Sequence, residues 1–396
     1  MPTKCETRLW VCVLVLLVLV MLMWTRRDKS ARLQPPKISP EEVNAHIRMR
    51  GDRFFAAIDS PSNPNCRLFR EAFPLTPKPD GDLDIAFTLV VHKDIHQIAR
   101  LMRMIHRVNN YYCIHLDSRS PRAFRKALAG VATCFGPNVE IVPEEKRVEV
   151  NWGDESVLRP QLICAEQALK RSSTWKYLVN IVGQEFPLRT NLELQAALKA
   201  LNGSNLVESF SIDRFRSWVK DFSLPYGANW YKGSVYGAFR REFLQEAVLA
   251  EFTKGFRDIL LLPKALNHPD ELFFSSLNYN PHLKLTGSCL VTPSPPNEVA
   301  FNFLAKYVIW LGYVIKCETK LVRSVCIFGN PQVAQLQRAP HLFANKFHSD
   351  YQPEAYDEME RWYFRKFAKE LETGVYASDD FDVSIYANRT CSRNHN

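Results

Sequence analysis

Residues 84–116, DIAFTLVVHKDIHQIARLMRMIHRVNNYYCIHL, decide the fold class. Residues 84–91 form a short apolar run of buried-strand length, 95–107 repeat apolar side chains at helical period, and 111–116 read as a second strand. The rhythm continues with a helix at 121–131, a short strand at 139–142, a helix at 157–170, a strand at 177–180 and a helix at 192–201. Strand alternating with helix implies an open, largely parallel sheet with helices on both faces, the usual frame of a nucleotide-binding half. After Glu208 the rhythm breaks. Trp218, Tyr226, Trp230 and Tyr231 crowd a loop-rich region before a strand at 234–239 and helices to about residue 277. Such rings suit the C–H faces of sugars, and core packing accounts for them equally well. The expectation is an α/β fold with a twisted mixed sheet. Residues 354–372 add a docking helix with Tyr356, Met359, Tyr363, Phe367 and Leu371 on one face and Gly374 at its end.

At 396 residues, 46% apolar and 12% aromatic, the chain can bury a large core, and a disordered chain is excluded. Residues 9–24, LWVCVLVLLVLVMLMW, are apolar throughout. As a helix they span about 24 Å, short for a plasma membrane and suited to a thinner early secretory or Golgi one. A cleaved signal peptide is the alternative, opposed by bulky Met21, Met23 and Trp24 where small residues are needed. The chain then divides into a tail (1–8), a transmembrane signal anchor (9–24), a Pro-rich stem (25–65) with one short helix at 41–50, and a lumenal domain (66–396).

Arg26, Arg27, Lys29 and Arg32 outnumber Lys4 and Arg8 across the run, which by charge bias alone would leave the C-terminus in the cytosol. Two glycosylation sequons, at Asn202 and Asn388, and eight cysteines beyond the anchor argue for an oxidising lumen instead, so a type II orientation is expected. The formal charge is +9, of which residues 1–32 supply +4. The remaining excess is no nucleic-acid footprint and fits an anionic small substrate or a nearby membrane.

Two segments carry candidate chemistry. Residues 321–347, LVRSVCIFGNPQVAQLQRAPHLFANKF, set two cations, Arg323 and Lys346, on apolar frames. Residues 321–328 read as a strand feeding Gly329, and strand ends are where α/β proteins hold ligands. An edge-strand Arg and a solvated loop Lys are the plainer reading. Residues 267–277, NHPDELFFSSL, read as a helix start with Pro269 first and Asp270 and Glu271 in the first turn, where amide N–H groups favour negative charge. Glu271 is placed either to take a proton from an acceptor hydroxyl or simply to complement the helix dipole.

Metal is not indicated. The strand at 111–116 ends in Asp117-Ser118-Arg119 with a single acid, and the Asp-x-Asp spacings at Asp80, Asp82, Asp84 and at Asp380, Asp382 read as solvated turns. His92 and His96 are four apart, but Lys93 stands where a zinc-protease helix needs Glu and a third ligand is missing.

The blocks VRSVCIFG (322–329), HLFANKF (341–347), VNWGDESVLRPQLICAEQAL (150–169), WKYLVNIVGQEFPLRTNLEL (175–194) and GSVYGAFRREFL (233–244), with Pro269-Asp270-Glu271, resemble the core 2 type β-1,6-N-acetylglucosaminyltransferases of glycosyltransferase family 14. The matched blocks lie between residues 85 and 347, about two-thirds of the chain. The resemblance implies a GT-A-like fold and inverting, metal-independent transfer of N-acetylglucosamine from UDP-GlcNAc to a galactose- or N-acetylgalactosamine-containing O-glycan. Glu271 would be the base, and Arg323 and Lys346 would hold the diphosphate in place of a divalent ion. Val91, His92 and Asp117 would lie on the uridine side. Glu208, Arg214 and Arg216 would bind acceptor hydroxyls, with Trp310 as an acceptor platform. No cofactor is implied. Cys66 would pair with Cys134, Cys113 with Cys164 and Cys317 with Cys326, leaving Cys289 and Cys391 as free thiols or a fourth pair. A Golgi membrane protein follows, with a homodimer admitted but not required.

One base with two cations fits an inverting transfer, whereas glycoside hydrolysis needs two carboxyl groups flanking the bond. The chain departs from the family pattern at Val182, where a thiol stands in the family, at Glu185, where an Asp stands, and in a shortened segment after Glu208. A peptide xylosyltransferase of the same family and a non-catalytic type II membrane lectin are the competing readings.

Overall fold

The computed structural model describes residues 38–76, 80–293, 303–377, 379 and 381–396. The expected tail and anchor, and the stem as far as residue 37, lie outside the described residues. Among the described residues no helix is long and apolar enough to cross a membrane.

Thirteen strands are present among the described residues: β1 (Ile85–Val91), β2 (Tyr111–Leu116), β3 (Val139–Ile141), β4 (Tyr177–Val182), β5 (Glu185–Pro187), β6 (Leu206–Val207), β7 (Phe210–Ser211), β8 (Tyr231–Lys232), β9 (Gly237–Arg240), β10 (Lys306–Tyr307), β11 (Lys320–Val322), β12 (Val325–Ile327) and β13 (Phe343–Asn345). Six build the main sheet in the order β3-β2-β1-β4-β9-β6. β1 to β4 run parallel, and β9 and β6 add an antiparallel edge, so the sheet is mixed as expected.

Every residue of β2 is buried, because a parallel sheet is covered on both faces and its strands read as apolar runs without alternation. Helices Ile95–Ile105, Arg122–Phe135 and Asn191–Ala200 cover one face through Ile98, Leu128 and Leu198. Helices Leu158–Arg171, Arg241–Leu249 and Asp270–Asn278 cover the other through Leu162, Phe243 and Phe273. A second sheet, β10-β13-β5, grows from the end of β4 and packs on helix Pro353–Thr373.

Residues 38–65 pack onto the domain where a stem was expected, and the short helix expected at 41–50 is present and longer. Residues 40–56 form a helix whose Ser39 cap and Glu42 make a reciprocal capping box, and Val43, Ile47 and Phe55 are buried in the core. The polar side of that helix reaches the C-terminal one. Asn44 donates to Glu360 at 2.6 Å, and Arg48 meets Asp357 at 2.7 Å. Arg100 and Arg103, from helix Ile95–Ile105, each meet Glu360 at 2.7 Å. The spacing of these polar residues resembles a solvated linker only because their partners lie about 300 residues away in sequence.

Four disulfides are present among the described residues: Cys66–Cys134, Cys113–Cys164 and Cys317–Cys326, as the resemblance implied, and Cys289–Cys391 as the fourth. Both sequon residues, Asn202 and Asn388, are exposed.

Burial alone would raise the Glu360 carboxyl, but Arg100 and Arg103 outweigh it and hold its pKa down at about 2. A carboxyl depressed in the fold stabilises it above its unfolded value, and that contribution fades as pH falls through the folded value. Glu360→Gln should therefore cost about 3–5 kcal/mol at pH 7, the usual penalty of opening a buried ion pair. Denaturant titrations of the two forms should converge as pH falls from about 4.5 towards 2; a constant gap across that window would rule the ion pair out as the cause.

Candidate active site

β1 lies between β2 and β4, so the chain leaves it in opposite directions on either side, and the carboxyl ends of these strands are where an open α/β sheet forms its ligand crevice. Gly183 lets β4 turn there. A Cβ at this position would stand 2.8 Å from Cγ1 of Ile98, so only glycine allows the chain to pass the helix. β4 continues at once into β5, which pairs with β13 in a register that sets Asn345 opposite Glu185. The next residue, Lys346, therefore arrives over the crevice, fixed by its carbonyl accepting from the Phe328 N–H at 2.9 Å and by the Phe347 N–H donating to Gln184.

Arg323 reaches the same place by another route. The expected strand 321–328 is two strands, β11 and β12, with Arg323 and Ser324 as the two-residue turn between them, at φ of 51° and 62°. Both lie in the left-handed region that two-residue hairpin turns require and that normally selects Asn or Gly. Nothing in Arg-Ser announces such a turn. The Cys317–Cys326 bridge and the Leu311 N–H donating to Ser324 at 2.8 Å hold it in place.

Lys346 feels both Arg323 and Lys93. Its pKa is lowered, first by burial and then by these two cations. His348 is lowered by burial and then by Lys346, Lys93 and Lys320. Cations held together against their mutual repulsion make a site that an anion would relieve. Lys93, which follows β1, joins this cluster although its sequence position gave no sign of it.

The negative pole lies across an aromatic wall. The Arg323 guanidinium sits 5.9 Å from the Trp152 ring, which meets His268 edge-on at 4.7 Å, and His268 in turn packs on Trp218 at 4.5 Å. Pro269 caps helix Asp270–Asn278 and does not open it, and the Glu271 N–H donates to the His268 carbonyl at 2.9 Å. Glu271 is partly exposed and meets Lys232 of β8 at 3.1 Å.

Burial alone would lower Lys232, but Glu271 and Glu208 raise it. Burial pushes Glu208 up to about 6, with Glu271 adding to the shift and Lys232 opposing it. Asp270 is buried, among the described residues leaves Oδ1 without a hydrogen-bond partner, and is pushed up to about 8 by burial and Glu271.

The other expected residues sort clearly. Val91 is buried and contributes its carbonyl, which accepts from the Asp117 N–H at 3.0 Å. Asp117 lies at the end of β2, where its carboxylate accepts from the Arg119 side chain and from the Arg119 and Val150 N–H groups. Burial would raise its pKa, and these donors lower it. His92 lies beside Lys93 at the crevice, its pKa lowered by partial burial and then by that lysine.

Arg214 and Arg216 are exposed, and Arg216 pairs with Asp213 at 3.2 Å on the surface. Between them Phe215 faces inward, its ring 5.5 Å from the Lys232 ammonium. Trp310 bridges to Val325 beside the Arg323 turn, whereas Tyr313 of the same loop lies in the field of Glu208 and Lys232. Lys232, Phe215 and Tyr313 were missed because each comes near Glu271 or Glu208 only by a long-range approach. Of the loop aromatics, Trp230 and Tyr231 fill the core, and Tyr226 stacks on Phe252 at the surface.

The acids before β1 hold structure: Asp80 pairs with Arg107 at 2.7 Å, and Asp84 accepts from Asn109. Asp380 lies outside the described residues, and Asp382 accepts from the Ser384 N–H. Among the described residues no group of three or more His, Cys, Asp and Glu is arranged to hold a metal ion.

A sheet-end crevice with clustered cations on one side and a carboxylate on the other can bind an anionic leaving group and deprotonate a nucleophile. The chain belongs to the family described as Core-2/I-Branching enzyme, which it matches over residues 85–337. It is 31% identical over 303 residues to a mouse (Mus musculus) protein named beta-1,3-galactosyl-O-glycosyl-glycoprotein beta-1,6-N-acetylglucosaminyltransferase 4, with 70% of this chain and 65% of the relative covered. It is 30% identical to a human (Homo sapiens) beta-1,3-galactosyl-O-glycosyl-glycoprotein beta-1,6-N-acetylglucosaminyltransferase, covering 69% of this chain and 68% of the relative. A zebrafish (Danio rerio) relative named as number 4 is 28% identical, with 78% of each chain covered. The chain thus spans about two thirds of the length of the first two.

Glu185 pairs with Lys306 of β10 at 2.6 Å with both side chains fully buried, and also accepts from Asn345 at 3.0 Å. This joins β5, β10 and β13 directly beneath Lys346. Glu185→Gln should cost about 3–5 kcal/mol, because Lys306 would stay buried without its counter-charge, while Glu185→Leu with Lys306→Met should cost less than either single change. Thermal and denaturant unfolding of Glu185→Gln, the two single changes and their double measures this, and additive costs would contradict it.

Proposed function

We propose that the chain is an inverting glycosyltransferase with a GT-A-like catalytic domain. It transfers N-acetylglucosamine from UDP-GlcNAc in β-1,6 linkage to a galactose- or N-acetylgalactosamine-containing O-glycan of a glycoprotein, without a divalent metal. The observation that carries this reading is the convergence of Arg323, Lys346 and Lys93 at the sheet-end crevice, across the Trp152 and His268 wall from Glu271. The names of the relatives support the transferred sugar, the linkage and the acceptor class.

In this mechanism Glu271 takes the proton of the acceptor hydroxyl as its oxygen bonds to the anomeric carbon. The bond from that carbon to the UDP oxygen breaks on the opposite face, which inverts the centre. Arg323, Lys346 and Lys93 neutralise the diphosphate as it leaves, a service permanent cations perform without a metal. Lys232 holds Glu271 in position, and Glu208 accepts hydrogen bonds from the acceptor sugar between Phe215 and Tyr313. His92 and Asp117 shape the uridine side. The apolar run at 9–24 would anchor this domain, type II, in the Golgi membrane with the catalytic part in the lumen, where the four disulfides are stable.

Glu271→Gln should keep UDP affinity while turnover falls by about 10² or more, the scale of lost general-base help. Arg323→Ala and Lys346→Ala should instead weaken UDP about 10- to 100-fold by calorimetry, the weight of one hydrogen bond to a charged group. The opposite split between the two sets would reverse the assigned roles.

A donor and acceptor panel run in excess chelator tests the rest. UDP-GlcNAc with a mucin-type disaccharide should give a β-1,6 product. Turnover of UDP-xylose on a Ser-Gly peptide would favour the xylosyltransferase reading, glycan binding without turnover would favour a lectin, and activity restored only by manganese would end the metal-free claim.

A further inference from the structure

On the edge of the molecule away from the crevice, a cleft of about 250 Å³ is lined by Trp362, Arg365, Lys366, Lys369, Glu370 and Ala377. Its position follows from the sheet. Glu370 accepts from the Thr190 hydroxyl at 2.6 Å, at the cap of helix Asn191–Ala200, whose Asn191 donates to the Asp80 carbonyl. Asp80 precedes β1, so the cleft lies at the amino ends of the parallel strands, opposite the candidate active site.

Three features make it a built site. Glu370 is only 5% exposed, yet among the described residues its Oε2 has no hydrogen-bond partner. A buried carboxyl oxygen left without a donor costs free energy that a ligand hydroxyl would recover once the side chain turns that oxygen into the cleft. Lys366, 4.8 Å from the Trp362 ring, has its charge balanced by Glu193. Arg365 and Lys369 are exposed at the rim; Arg365 pairs with Glu358 at 3.7 Å, and among the described residues Lys369 joins no ion pair.

The ligand must satisfy opposite demands. A bare anion would suit the rim but offer the Glu370 carboxyl no donor, and a neutral sugar would leave Lys369 unanswered. A hydroxylated ring carrying one acidic group meets both. The cleft is below the roughly 300–1,000 Å³ of pockets that enclose drug-sized ligands, so it has room for a single ring. Burial pushes the Glu370 carboxyl up to about 7, so near neutral pH it can accept from or donate to a ring hydroxyl.

We propose that this cleft is a second saccharide site, remote from the transfer centre, that takes one acidic pyranose, carboxylated or sulfated. It stands independently of the transferase reading, since none of its residues lines the crevice.

The test is saturation-transfer NMR and calorimetry on the full chain in detergent, with glucuronic acid, glucose and sodium sulfate as probes. Glucuronic acid should bind, glucose should not, and sulfate should bind more weakly. Arg365→Ala with Lys369→Ala, both surface changes, should weaken glucuronic acid about tenfold or more, the weight of a charge-assisted contact. UDP affinity should not change in that variant. Glu370→Gln should weaken glucuronic acid while leaving sulfate unaffected. Equal binding of glucose, sulfate binding as tight as glucuronic acid, an unaffected rim variant, or a parallel loss of UDP would each overturn the proposal. So would a rim variant that loses only phosphatidylserine vesicles, which would make the patch a membrane contact.

Discussion

The candidate active site hangs on one fully buried ion pair, Glu185 with Lys306. A salt bridge cut off from water contributes little net stability against an apolar replacement, but it is intolerant of any arrangement other than the one that pairs it. Here that intolerance fixes a register. It binds the continuation of β4 to β10 and, through Asn345, to β13, and so decides where the chain delivers Lys346. A sheet edge secured by backbone bonds alone could slip by a residue and turn every side chain over.

The crevice separates its charges. Arg323, Lys346 and Lys93 stand on one side and Glu271, Glu208 and Lys232 on the other, with Trp152, His268 and Trp218 between them. Were the poles in direct contact, the cations would be spent on the acids and the anion site would vanish. Lys232 prevents the two acids from repelling each other beyond use, much as an anion would relieve the cation cluster. The arrangement is thus incomplete without substrate on the positive side, and largely self-sufficient on the negative side.

The domain is closed by its ends. Helix Pro40–Ala56 and helix Pro353–Thr373 meet through Asn44, Arg48, Asp357 and Glu360, and Cys289–Cys391 holds the last residues against the loop after residue 287. Helix Pro353–Thr373 therefore does two things. Its N-terminal half locks the N-terminal helix and helix Ile95–Ile105 together, and its C-terminal half forms the remote basic cleft.

Local periodicity was enough to reveal the α/β frame, because a strand buried on both faces and a helix buried on one leave different apolar spacings in the sequence. The position of Glu271 in a helix's first turn was legible for the same reason, since capping chemistry is local. The residues that complete the site were not legible. Lys93, Lys232, Phe215 and Tyr313 are ordinary in sequence and acquire meaning only where distant segments converge. The Arg323 turn was hidden because its left-handed backbone is imposed by a disulfide and a neighbouring loop, not by a glycine. The helix at 40–56 looked like a linker because its polar residues are satisfied by partners at the far end of the chain. Sequence determined which elements form; tertiary structure decided which charges meet, because electrostatic interaction depends on distance in space and not along the chain.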